Sequence, residues 1–114
     1  MSGPAAIADA IKNMGAISSI HLLQNKIPVE QAQELVKIMQ AKKALVTLCG
    51  LSKEETELDF SGQGLDAGDA VLIANDISDM RALIKLDISS NSIGDEQEGD
   101  LQRICVASGI ELAK

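Results

Sequence analysis

At 114 residues the chain has room for one domain with its own core and is too short for two. It is 46% hydrophobic and 24% charged but holds one Phe and no Tyr or Trp, which argues against aromatic platforms for single-stranded nucleic acid and against Trp- or Tyr-anchored hot spots. Seventeen Asp and Glu against ten Lys and Arg give a net charge of −7, which repels phosphate backbones and anionic lipid and so disfavours nucleic acid and membrane as partners.

The first predicted element is a helix over residues 4–13, with Pro4 in its first turn and Ile7, Ile11 and Met14 along one side. Residues 17–27 then read I-x-x-I-x-L-x-x-N-x-I, from Ile17 through Asn25 to Ile27. A second helix follows, since Ala32, Leu35, Val36 and Met39 fall at i, i+3, i+4 and i+7, with Lys42 and Lys43 where a helix C-terminus favours cations.

Residues 45–51 begin like the 17–27 motif and then depart from it: Gly50, Lys53 and Glu55 occupy slots that call for an apolar residue, Asn and an apolar residue. Two arrangements are open. The 28-residue interval from Ile20 to Leu48 favours an extra strand in a parallel sheet. The ten residues between Leu48 and Leu58 favour a flanking strand or turn, because parallel neighbours normally need a connection of a dozen residues or more.

Glu55, Leu58, Phe60, Gln63 and Leu65 fill the frame imperfectly. A helix follows on Ala70, Ile73, Ala74 and Ile77, with Asp66 or Asp69 placed to cap it. Residues 83–93 restore the full motif, L-x-x-L-x-I-x-x-N-x-I, 28 residues after its imperfect copy. Leu101, Ile104, Cys105 and Ser108 mark a last helix, opened at Asp95 and closed at Gly109, and Ile110-Glu111-Leu112 starts another strand.

Two full motif copies in register, one imperfect and one partial, resemble the leucine-rich repeat family in its ribonuclease-inhibitor-like, helix-containing subclass. That resemblance implies an α/β fold: a short curved solenoid with a parallel sheet on its concave surface and helices on the convex one, covering residues 1–114 as one unit or as part of a longer array. Elementary geometry agrees. Strands about 4.8 Å apart stacked with helices about 10 Å wide must bend, and a β–α unit buries its apolar side only against a neighbour.

Alternation along each strand then assigns the concave face to Ser19 and His21, Thr47 and Cys49, Glu57 and Asp59, Lys85 and Asp87, and Glu111. Asp59, Asp87 and Glu111 are expected to align across successive strands, with Glu57 beside them, as an acidic stripe. Solvent either tolerates such a stripe or it attracts a basic protein surface. Asn25 and Asn91, and less well Gln63, are placed after the strands to bond backbone groups of neighbouring turns, as a structural ladder.

No other motif carries chemistry. Residues 95–100 lack the ligand pattern of an EF-hand and read as an acidic helix start. His21 has no nearby Cys or second His for zinc, and Cys49 has no visible orienting group or oxyanion loop for nucleophilic catalysis. Gly62-x-Gly64 reads as turn chemistry, and residues 52–55 as a solvated turn. No metal, cofactor or catalytic residue is expected.

Cys49 and Cys105 read as reduced thiols, and neither a spanning segment nor a signal peptide is visible, so a cytoplasmic setting is expected. The expected function is a non-enzymatic protein-interaction module that docks its partner, of basic character, on the concave sheet. The alternatives are a structural fragment of a larger repeat protein that self-associates through exposed ends and, from relatives of the subclass, a GTPase-regulating protein using Arg81 or Arg103.

Overall fold

Among the described residues, the three segments whose apolar spacing repeats every three or four residues are helical. The computed structural model describes residues 19–41 and 47–114. The predicted helix over 4–13, Ile17, and the cations Lys42 and Lys43 lie outside that range. The described elements are α1 (Val29–Ala41), β1 (Glu57–Asp59), α2 (Ala67–Ile77), β2 (Lys85–Asp87), α3 (Asp95–Ser108) and β3 (Glu111–Ala113).

The three strands form one parallel sheet in the order β1-β2-β3. Leu58 pairs with Leu86, and Leu86 with Leu112. The helices neighbour one another in the same order, α1 on α2 and α2 on α3. A three-residue strand exposes most of its backbone unless a parallel neighbour accepts its hydrogen bonds, and each connection here is a helix, as parallel pairing requires.

Leu58 and Leu86 point into the core, and Leu112 packs against it half-buried. Leu22, Phe60 and Ile88 share that same interior. From the helices the core takes Ala32, Leu35 and Ile38, then Ala70, Leu72, Ile73 and Ile77, then Leu101 and Cys105. Val36, Met39, Ala74 and Ile104, also on the predicted apolar stripes, are only half-buried.

Helix ends follow local chemistry. Asp66 accepts from the Asp69 amide and Asp69 from the Asp66 amide, both at 3.1 Å, a reciprocal capping box at the start of α2. At the end of α3, Gly109 takes φ +71 and passes the chain into β3. Gly68 has a different necessity: a Cβ there would overlap the carbonyl of Ile27, so its hydrogen lets α2 approach the preceding turn.

The turns after the strands share one backbone shape. Gln24, Gly62 and Ser90 all adopt the left-handed region, at φ +65, +61 and +60. Asn91 joins two of these turns. Its Oδ1 accepts from the amides of Gln63 and Leu65, both at 3.0 Å, while its Nδ2 donates to the carbonyls of Phe60 and Ile88 at 2.9 and 3.0 Å.

The other two ladder positions differ. Asn25 is exposed and, among the described residues, donates only within its own turn, to Leu22 and Leu23. Among the described residues the Gln63 side chain reaches only the Asp59 carbonyl of its own turn, at 3.5 Å. The bridge to the 22–27 turn is made instead by Asp69, whose Oδ1 accepts from the Gln24 amide at 3.1 Å, and by the Gln24 side chain, whose Nε2 donates to the Gln63 carbonyl at 2.8 Å. A cap residue already anchored at the helix start has the reach that Gln63 does not use.

Candidate functional site

Helices cover one side of the β1–β3 sheet, and the alternation of each strand sends the remaining side chains to the other. That open face carries Glu57 and Asp59, Lys85 and Asp87, and Glu111, with Ala113 completing β3. The register corrects the expected acidic stripe. Glu57, Lys85 and Glu111 form one cross-strand row, and Asp59, Asp87 and Ala113 form the other. Glu111 therefore lies beside Lys85, not in line with the two aspartates, and their charged atoms approach to 4.0 Å.

Asp59 and Asp87 are held alike. The Oδ1 of Asp59 accepts from the hydroxyl and amide of Ser61 at 2.6 and 2.9 Å, and that of Asp87 from the hydroxyl and amide of Ser89 at 2.7 and 2.9 Å. These D-x-S turns orient the carboxylates and stiffen the strand exits. At Asp59 the Ser61 hydroxyl, then its amide, hold the carboxyl below the usual carboxylate range.

The other four predicted face residues are split. Ser19 and His21 are exposed, and each forms an isolated bridge with its neighbour, Ser19 with Thr47 and His21 with Cys49. Thr47 and Cys49, in contrast, are buried and absent from the open face. No ladder joins residues 47–49 to β1 among the described residues, so this segment pairs with 19–21 outside the three-stranded sheet.

The reason is Asp76, near the end of α2 and fully buried. Its carboxylate accepts from the Thr47 hydroxyl at 2.5 Å, the Leu48 amide at 3.1 Å and the Cys49 amide at 3.0 Å. The Thr47 oxygen in turn accepts from the amides of Cys49 and Leu51, at 3.2 and 3.0 Å. Amides that a neighbouring strand would satisfy are satisfied by a side chain instead. From the 50–56 turn, Lys53 donates to the Asp76 carbonyl and pairs with Asp79 at 2.7 Å. It supplies the cation at the α2 C-terminus that the helix itself lacks.

Sequence reading passed over Asp76. Its one signal is an acidic residue set directly before Ile77 and three after Ile73, beside the apolar stripe of the helix. The same cluster makes the Cys49 thiol inert: burial, then the Asp76 charge, push it far above its ordinary value. Burial raises the Cys105 thiol as well. Among the described residues no three His, Cys, Asp or Glu side chains are placed to hold a metal ion. No described helix is long and apolar enough to cross a membrane.

Neither arginine weighed for a regulatory role stands on the sheet face. Arg103 lines a shallow cleft between α2 and α3 and pairs with Asp100 one turn earlier. Arg81 borders a hollow with Ser78, Asp79 and Ser108. A comparison with family models, curated proteins and solved structures finds no match for this chain.

Proposed function

We propose that this chain is a protein-interaction module of leucine-rich-repeat type, a short solenoid that docks a basic protein segment on the open face of its parallel sheet. One observation carries the proposal: among the described residues the sheet is covered by helices on one side only, and the uncovered side presents Glu57, Asp59, Asp87 and Glu111 around a single Lys85. Support for the solenoid comes from sheet and helices that follow sequence order and from Asn91 tying one turn to the next. Rigid carboxylates on strands form a better electrostatic target than the same charges on loops, because they lose little freedom on binding.

The test is a titration of the isotope-labelled protein with a lysine-rich peptide, followed by NMR at low and high salt. Shifts centred on residues 57, 59, 85, 87 and 111, weakening as salt rises, support docking there. Changing Asp59, Asp87 and Glu111 together to Ser should weaken binding about tenfold, the scale of a few exposed charge contacts. Shifts confined to the helices, or salt-independent binding, would reject the proposal.

A further inference from the structure

From the register of the open face we infer that its partner is an α-helix laid across the strands, presenting cation, anion and cation in successive turns toward Glu57, Lys85 and Glu111. The inference rests on the docking proposed above and specifies its partner.

The row Glu57–Lys85–Glu111 is fixed by backbone pairing, which makes its charge order of minus, plus, minus a property of the fold. Adjacent strands lie about 4.8 Å apart, so the two glutamates stand about 9.6 Å from each other with the lysine between them. An extended peptide crossing the strands offers side chains on one face about every 6.8 Å, which misses both positions. A helix rises about 10.5 Å from i to i+7, within about 1 Å of the span, and its i+3 or i+4 residue falls near the middle.

Lys or Arg at i and i+7 therefore meets the glutamates, and Asp or Glu at the intervening turn meets Lys85. Lys85 approaches Glu111 only to 4.0 Å and its side chain is half-exposed, which leaves its charge open to an incoming acid. Asp59 and Asp87 lie one strand-step beyond, within reach of further long basic side chains on the same helix. A uniformly basic helix would set a cation against Lys85, a repulsive contact that separates the two classes of partner.

The experiment uses two synthetic helical peptides identical but for one residue, with Lys-Glu-Lys or Lys-Lys-Lys at i, i+4 and i+7. Each is titrated against the full chain, Lys85→Glu and Lys37→Glu. Lys37, on the outer side of α1, carries the same charge change away from the sheet. Against the Lys37→Glu control, Lys85→Glu should shift the preference toward Lys-Lys-Lys by about fivefold. An equal shift in both variants, or none in either, overturns the charge pattern while leaving sheet-face docking intact. Absence of binding by either peptide, or binding mapped to the helices, overturns both.

Discussion

Two of the joints between successive turns of this molecule use opposite chemistry. Between the 60–65 and 88–91 turns the joint is a neutral amide. Asn91 offers an acceptor to two amides and a donor to two carbonyls, matching a backbone that presents both kinds of group. Between the 47–49 segment and α2 the joint is a carboxylate. Among the described residues Asp76 meets only donors, a hydroxyl and two backbone amides of residues 47–49 and, at 3.5 Å, the Asn75 side-chain amide, and an acceptor-only side chain suits that set. Where the repeat keeps its 28-residue period, a repeat residue suffices; where ten residues are inserted, the amides lose their strand neighbour and a buried charge replaces it.

The sharpest way to break that contrast is Asp76→Ala. Three donors lose their acceptor in a buried site, and urea denaturation should show a loss of about 3–5 kcal/mol. Asp76→Asn, which keeps the shape and one acceptor oxygen but turns an amide NH2 toward the donors, should lose less, about 2 kcal/mol. Equal stability of all three proteins would mean that the carboxylate is not the joint.

Next in size is Asn91→Ala, expected to cost about 2–3 kcal/mol because both turns are left with unpaired backbone groups. Asn25→Ala, at the equivalent position with bonds inside its own exposed turn, should cost under about 1 kcal/mol. Similar losses at the two sites would show that the bridge between turns adds nothing.

A smaller effect separates the turns themselves. Gly62 and Ser90 hold the same left-handed backbone 28 residues apart, and a Cβ at Gly62 meets no neighbour. Gly62→Ala should therefore lose about 1 kcal/mol through backbone strain alone, and Ser90→Gly should gain about 0.5 kcal/mol, both read from thermal midpoints.

The finest distinction is in pH. Burial, partly offset by the amides of Asp66 and Gln24, raises the Asp69 carboxyl above its ordinary value. The folded state then binds more protons than the unfolded one between the ordinary carboxyl range and the raised value, so this residue's contribution to stability falls as pH climbs through that window. Asp59 runs the other way: its lowered carboxyl adds stability that is lost as pH falls through the acid range. Urea midpoints followed from mildly acid pH down to below the ordinary carboxyl range should show Asp69→Asn without the first slope and Asp59→Asn without the second.

Much of this was legible in the chain. The motif at residues 83–93 placed Leu86 inward and Lys85 and Asp87 outward, and the spacing of Leu101 and Cys105 marked the buried side of α3. The acidic row was misread because alternation says which face a residue takes but not which residue stands beside it. Leu58 and Leu86 are 28 residues apart, Leu86 and Leu112 only 26, and the pairing that reconciles them places Glu111 next to Lys85.

The sequence by itself determined β1–β3 and the three described helices, because short-range periodicity acts over a few residues; the left-handed turns at Gln24 and Ser90 carry no such local signal. Only the tertiary structure decided that Thr47 and Cys49 are buried and leave the open face. Their partner, Asp76, lies 29 and 27 residues further on, and nothing local to residues 47–49 specifies it. The packing of α2 brings it there, where amides without a neighbouring strand require an acceptor.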